Sequence, residues 1–155
     1  MKNKPLIFSI AVILLFGIMT IVYFVNNKNG VNKDSLEEFK DSKSEIISSS
    51  GLHWHTELAI YVKDKKIEIP ANIGITNVHN PIHTHTEDAA TGIIHLEFPG
   101  LVRINDTKLE EFFKVWNKDI NSFGSNMKMT VNGIESSEFG DYLMKDGAKV
   151  ELRYN

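Results

Sequence analysis

Leu52-His53-Trp54-His55-Thr56-Glu57-Leu58-Ala59-Ile60-Tyr61-Val62 reads as a β-strand, and the rest of the chain is placed by it. On extended backbone, residues two apart point the same way. His53, His55 and Glu57 therefore share one face, and Trp54 and Leu58 the other. The alternation is clearest from Thr56 to Val62. Lys63-Asp64-Lys65-Lys66 then supplies a polar turn, and Ile67 and Ile69 continue one apolar face up to Pro70, which together predict a hairpin.

Downstream, residues 71–81 hold the turn formers Asn72, Gly74, Asn80 and Pro81 and read as a loop. Ile93 to Phe98 is the next strand, stopped by Pro99-Gly100. Thr107 opens a helix, with Glu110 completing a capping box, and Leu109, Phe112, Phe113, Trp116 and Ile120 form the apolar stripe that packs on a sheet. Met127 to Val131 is a strand, Asn132-Gly133 a hairpin turn, and Lys149 to Tyr154 a last strand after the turn Asp146-Gly147. Met127 and Met129 share strand parity with Val131, which places them in the core rather than at a copper ion. This order predicts an α+β fold: a small, mostly antiparallel or mixed β-sheet with one packed helix, β-grasp-like or roll-like.

Upstream, residues 1–5 are short and basic and read as a cytoplasmic N-terminus. Residues 6–25 carry no charge, and at about 1.5 Å per helical residue such a run spans roughly 30 Å of bilayer hydrocarbon. A cleaved signal peptide has a shorter apolar region ending in a small-x-small site, and here Ser9-Ile10-Ala11 comes too early. We therefore expect an uncleaved transmembrane signal anchor with the N-terminus inside. Residues 26–50 read as a polar tether, a stalk despite the apolar Leu36, Phe39, Ile46 and Ile47, and residues 51–155 as the extracytoplasmic domain of a single-pass cell-membrane protein.

The formal net charge is -3 and the lysines are scattered among acids, so there is no basic stripe for nucleic acid. The absence of cysteine removes disulfides and thiolate metal sites, leaving imidazole and carboxylate as the strong metal ligands. All six histidines lie between His53 and His95. Two His-x-His pairs, His53/His55 and His83/His85, are joined by Ile93-Ile94-His95-Leu96-Glu97.

Strand parity unites His53, His55 and Glu57, unites His95 with Glu97, and would unite His83, His85 and Glu87 if that segment is extended, as Pro81 encourages. We take His53, His55, His83, His85 and His95 as the metal ligands, with His53 the optional one. Glu57, Glu87 and Glu97 are the expected acceptors of the imidazoles' other N–H groups. His79 has no partner at spacing two and is set aside, and Asp88 is assigned to exposed loop. The alternative is a metal-free network in which the histidines bond to Thr56, Thr84, Thr86 or the glutamates.

The His-x-His strand running into Leu58-Ala59-Ile60-Tyr61-Val62 is followed by Pro70-Ala71-Asn72-Ile73-Gly74-Ile75, Ile82-His83-Thr84-His85, Gly92-Ile93-Ile94-His95-Leu96-Glu97 and Phe112-Phe113-Lys114-Val115-Trp116. In these pieces, over most of the chain beyond residue 51, the sequence resembles a family of uncharacterised membrane-anchored or secreted proteins of bacteria and archaea. The resemblance implies an extracytoplasmic location and retained histidines, and no particular activity. Other metal motifs do not fit. A cupin needs three or four residues between His-x-His and its Glu, the metallo-β-lactamase pattern fails at Glu87-Asp88, and there is no His-Glu-x-x-His.

The expectation is a membrane-tethered domain that holds copper or zinc through its histidine cluster, for storage or for delivery to a membrane protein partner. The alternatives are a metal-dependent enzyme with a three-histidine site, or a structural or interaction domain without metal.

Overall fold

The computed structural model describes residues 44–88 and 90–155. The expected cytoplasmic N-terminus, the span at residues 6–25 and most of the tether lie outside the described residues. Among those described, no helix is long and apolar enough to cross a membrane.

The strands are β1 (Ile46–Ser48), β2 (Leu52–Val62), β3 (Lys65–Ile67), β4 (Ile82–His83), β5 (Ile93–Phe98), β6 (Val102–Arg103), β7 (Lys128–Val131), β8 (Ile134–Ser136) and β9 (Ala148–Tyr154), with one α-helix, α1 (Leu109–Val115), between β6 and β7. The main sheet runs β4-β5-β2-β9-β7-β8, with β3 also paired to β2. Its pairs are antiparallel except for β2 and β9, which lie parallel with Glu57 opposite Lys149 and Ile60 opposite Leu152. Among the described residues the α+β architecture is thus a mixed sheet with one α-helix.

β2 organises this sheet because it is long enough to serve several partners. Its first half, Leu52–Glu57, pairs with β5, and its far end, Ile60–Val62, pairs with β3 across a turn at Lys63-Asp64. Both turn residues have positive φ, 48° and 63°. The hairpin therefore closes through a two-residue primed-type turn without a glycine.

Alternate residues of the strands face the core: Leu58 and Ile60 of β2, Ile94 and Leu96 of β5, Val150 and Leu152 of β9, and Met129 of β7. Leu109, Phe112 and Phe113 of α1 cover this face. Burying each such side chain contributes about 1.5–3 kcal/mol, so the apolar face outweighs every other determinant of how the sheet sits. Met129 is buried opposite Leu152, as its parity requires.

Two local details differ from the sequence reading. Thr107 does not cap α1: its hydroxyl donates to the Ile104 carbonyl at 2.9 Å, within a 3₁₀ turn at Ile104–Thr107, and Lys108 occupies the N-cap without a side-chain bond. A buried threonine oxygen bonds to the nearest free carbonyl, and here that lies behind it rather than ahead. The helix then stops at Trp116, with Asn117 at φ 56°, so Ile120 sits in a separate 3₁₀ turn. In addition, the compact unit begins at Ser44. Ile46 and Ser48, at the end of the stretch read as tether, pair with Arg103 and Val102.

Candidate metal centre

The register of three neighbouring strands builds the site. His55 lies opposite His95 across β2 and β5, and His95 lies opposite His83 across β5 and β4. Directly opposed residues project from the same face. Three imidazoles consequently form a row across the sheet, on the side away from α1. His53 stands opposite Glu97 in the next row.

The segment carrying the second pair is not extended throughout. β4 ends at His83, and Thr84 is drawn away from the sheet into the 70–73 loop. Its hydroxyl donates to the Pro70 carbonyl at 2.9 Å and accepts from the Ile73 amide at 3.1 Å, while the Asn72 amide donates to the Thr84 carbonyl at 2.9 Å. His85 therefore returns to His83 from a bend and not from a strand. The imidazoles still meet, with their Nε2 atoms 3.1 Å apart. The Nε2 atoms of His53 and His55 are 3.2 Å apart.

These separations match ligand spacing. Two nitrogens bound tetrahedrally to one ion at about 2.0–2.1 Å lie roughly 3.3 Å from each other. Two facing imidazole lone pairs repel unless a proton or a cation lies between them, so each pair suits a shared cation.

The neighbours of the rings fix which nitrogen is free. His83 Nδ1 donates to the Asn80 carbonyl at 2.9 Å, since a carbonyl can only accept, and this leaves Nε2 bare. His95 Nε2 donates to Asp88 Oδ2 at 2.8 Å. Its Nδ1 is then bare, buried and without a hydrogen-bond partner, 3.5 Å from Glu97 Oε1. A lone pair facing a carboxylate oxygen is the arrangement a cation would satisfy. Asn80 and Asp88 thus orient the rings in the manner of outer acceptors at histidine metal sites.

Burial is graded across the face. The His83 and His95 side chains are 2 % and 12 % exposed, against 64 % for His53 and 45 % for His55. Desolvation holds the His83 pKa below that of an ordinary imidazole. The Asn80 carbonyl and Glu97 oppose this, and His85 and His95 reinforce it. His83 is accordingly neutral, the form a metal ligand requires, down to a lower pH than a solvated histidine.

One group, His83, His85, His95 and Glu97, offers ligand atoms within 4.8 Å of one another, and a second, His53, His55 and His95, does the same. The protein therefore has a histidine cluster able to hold a metal ion. No family model, curated protein or solved structure matches this chain.

All five histidines taken from the sequence lie in these two groups, which meet at His95. His79 is exposed, and its ring centroid is 5.8 Å from that of His83. The three glutamates separate. Glu97 stands among the ligand atoms, Glu57 turns to Lys149 Nζ at 3.1 Å, and Glu87 is exposed. Asp88, assigned to exposed loop, is instead the partner of His95. Asp146 bonds the His55 amide at 2.9 Å and lies 3.7 Å from His55 Nδ1. Neither aspartate had a signal in the sequence beyond its type, because each reaches the cluster from a turn.

Proposed function

We propose that this domain binds a copper or zinc ion through His83, His85, His95 and Glu97, and that it stores the ion or passes it to a membrane protein partner. The reading is carried by one observation: a ring nitrogen from each of three histidines and a carboxylate oxygen of Glu97 lie within 4.8 Å of one another. A donor set of imidazole and carboxylate without thiolate suits Zn(II) or Cu(II). Four protein donors would close the shell of a tetrahedral ion, which favours holding over catalysis. A membrane anchor at residues 6–25 would keep the domain outside the cell and raise its effective concentration near its partner.

The test is metal analysis of the full chain, purified in detergent without a histidine tag. Bound copper or zinc that falls away in His85→Ala is the expected result. A chain that takes up neither ion, and whose melting temperature neither ion shifts, would falsify the reading.

A further inference from the structure

We propose that the histidine face holds a pair of metal ions bridged by Glu97: an inner ion on His83, His85 and His95, and an outer ion on His53 and His55. The inference rests on the metal-binding reading above and extends it to a second ion.

The donors are too many and too spread for one ion. Five imidazoles and a carboxylate exceed the four ligands of a zinc site, and they fall into two groups rather than one. The two Nε2–Nε2 contacts, at 3.1 Å for the inner pair and 3.2 Å for the outer, each have the spacing of ligands on a single ion.

His95 belongs to both groups, yet it cannot complete both. Its Nε2 is committed to Asp88, so only the Nδ1 lone pair is left. Glu97 is different, because it has two oxygens and stands where the groups meet. Oε1 is 3.2 Å from His53 Nε2 of the outer set and 3.5 Å from His95 Nδ1, which both groups share, while Oε2 is 4.0 Å from His83 Nε2 of the inner set. A carboxylate placed between two nitrogen sets in this way can bind one ion through each oxygen, as in two-metal centres with ions about 3.5–4 Å apart.

Two neighbouring cations repel, so a paired centre needs nearby negative charge. Three carboxylates supply it: Glu97 between the groups, Asp88 behind His95, and Asp146 behind His55. The exposure of the ligands gives the ions different characters. The inner ion, on His83, His85, His95 and Glu97 Oε2, has a full shell. The outer ion has His53, His55 and Glu97 Oε1, three protein donors, and two of these residues, His53 and Glu97, also line a shallow depression with Ser50, Leu52, Phe98 and Pro99. Water or a small anion would complete the outer shell, and the outer ion is the one that exchanges.

The experiment is titration of the full chain in detergent, without a histidine tag, with Cu(II) and separately Zn(II). Stoichiometry is read by native mass spectrometry, and spin coupling by electron paramagnetic resonance of the copper form. Expected are two ions per chain, one ion in His53→Ala, and a magnetically coupled copper pair whose coupling disappears in Glu97→Gln. His53 is exposed, so its replacement leaves the fold intact. A single ion per chain overturns the paired centre while leaving the metal-binding reading in place, whether or not His53→Ala affects it. Two ions without spin coupling overturn the bridge. No bound ion overturns both.

Discussion

His95 Nε2 meets Asp88 Oδ2 at 2.8 Å, although Asp88 belongs to the turn that precedes the strand of His95. The turn is tied back on itself, with the Thr91 and Gly92 amides both donating to the Asp88 carbonyl, at 3.1 and 2.9 Å. The backbone of Asp88 is thereby fixed while its carboxylate reaches over the sheet. This contact decides which nitrogen of His95 is free, and so decides how the strand row becomes a ligand set.

Removing that acceptor leaves every ligand present but lets the His95 ring turn. Asp88→Ala should therefore weaken metal binding by about 10–100-fold, the usual effect of losing an outer acceptor, with the fold retained. Competition against a chromophoric chelator measures it. Unchanged affinity would show that Asp88 does not position the ring.

Gly92 should be intolerant of a side chain. Its φ is +78°, and an added Cβ would run into the Leu58 carbonyl oxygen, whose strand accepts no displacement there because the Leu58 amide bonds to the Gly92 carbonyl at 2.9 Å. Gly92→Ala should destabilise the domain by at least the 1–3 kcal/mol typical of such backbone strain, roughly. It should also weaken metal binding through the shifted Asp88. A urea midpoint equal to that of the parent chain would contradict this.

Metal should stabilise the folded protein. At free ion about 100 times Kd, binding to the native state alone contributes about 2.7 kcal/mol, which for a domain of this size raises Tm by roughly 10 °C. A chelator should reverse the shift. His79→Ala should leave it in full, since His79 lies outside both ligand groups.

His83 makes the metal-free protein sensitive to acid. Its folded pKa lies below the ordinary value of 6.5, chiefly through burial. As pH falls through 6.5 the unfolded chain takes up this proton while the folded chain does not. The unfolded state binds more protons, so stability is complete above that pH and declines below it, down to the folded pKa. The urea midpoint of the metal-free chain should be lower at about pH 5.5 than at about pH 7.5, and His83→Gln should narrow the difference. An equal difference in parent and variant would remove His83 as its source.

Legible in the sequence alone were the strand running to Val62, those beginning at Ile93, Met127 and Lys149, the helical stripe of Leu109, Phe112 and Phe113, and the shared parity of His53 with His55 and of His95 with Glu97. Those features follow from local periodicity, because the period of a strand or helix decides which residues face apolar surroundings. That His55, His95 and His83 stand in one row lies beyond periodicity, since register is a relation between strands far apart in sequence. Tertiary contacts also set which acid serves which histidine. Glu57 shares parity with His55, but its strand partner is Lys149, which captures its carboxylate. Asp88 and Asp146 have no such parity and reach His95 and His55 because turns return them to the sheet. Periodicity thus marked the candidate histidines, while the long-range pairing of β2, β4 and β5 gathered them into two groups that share His95.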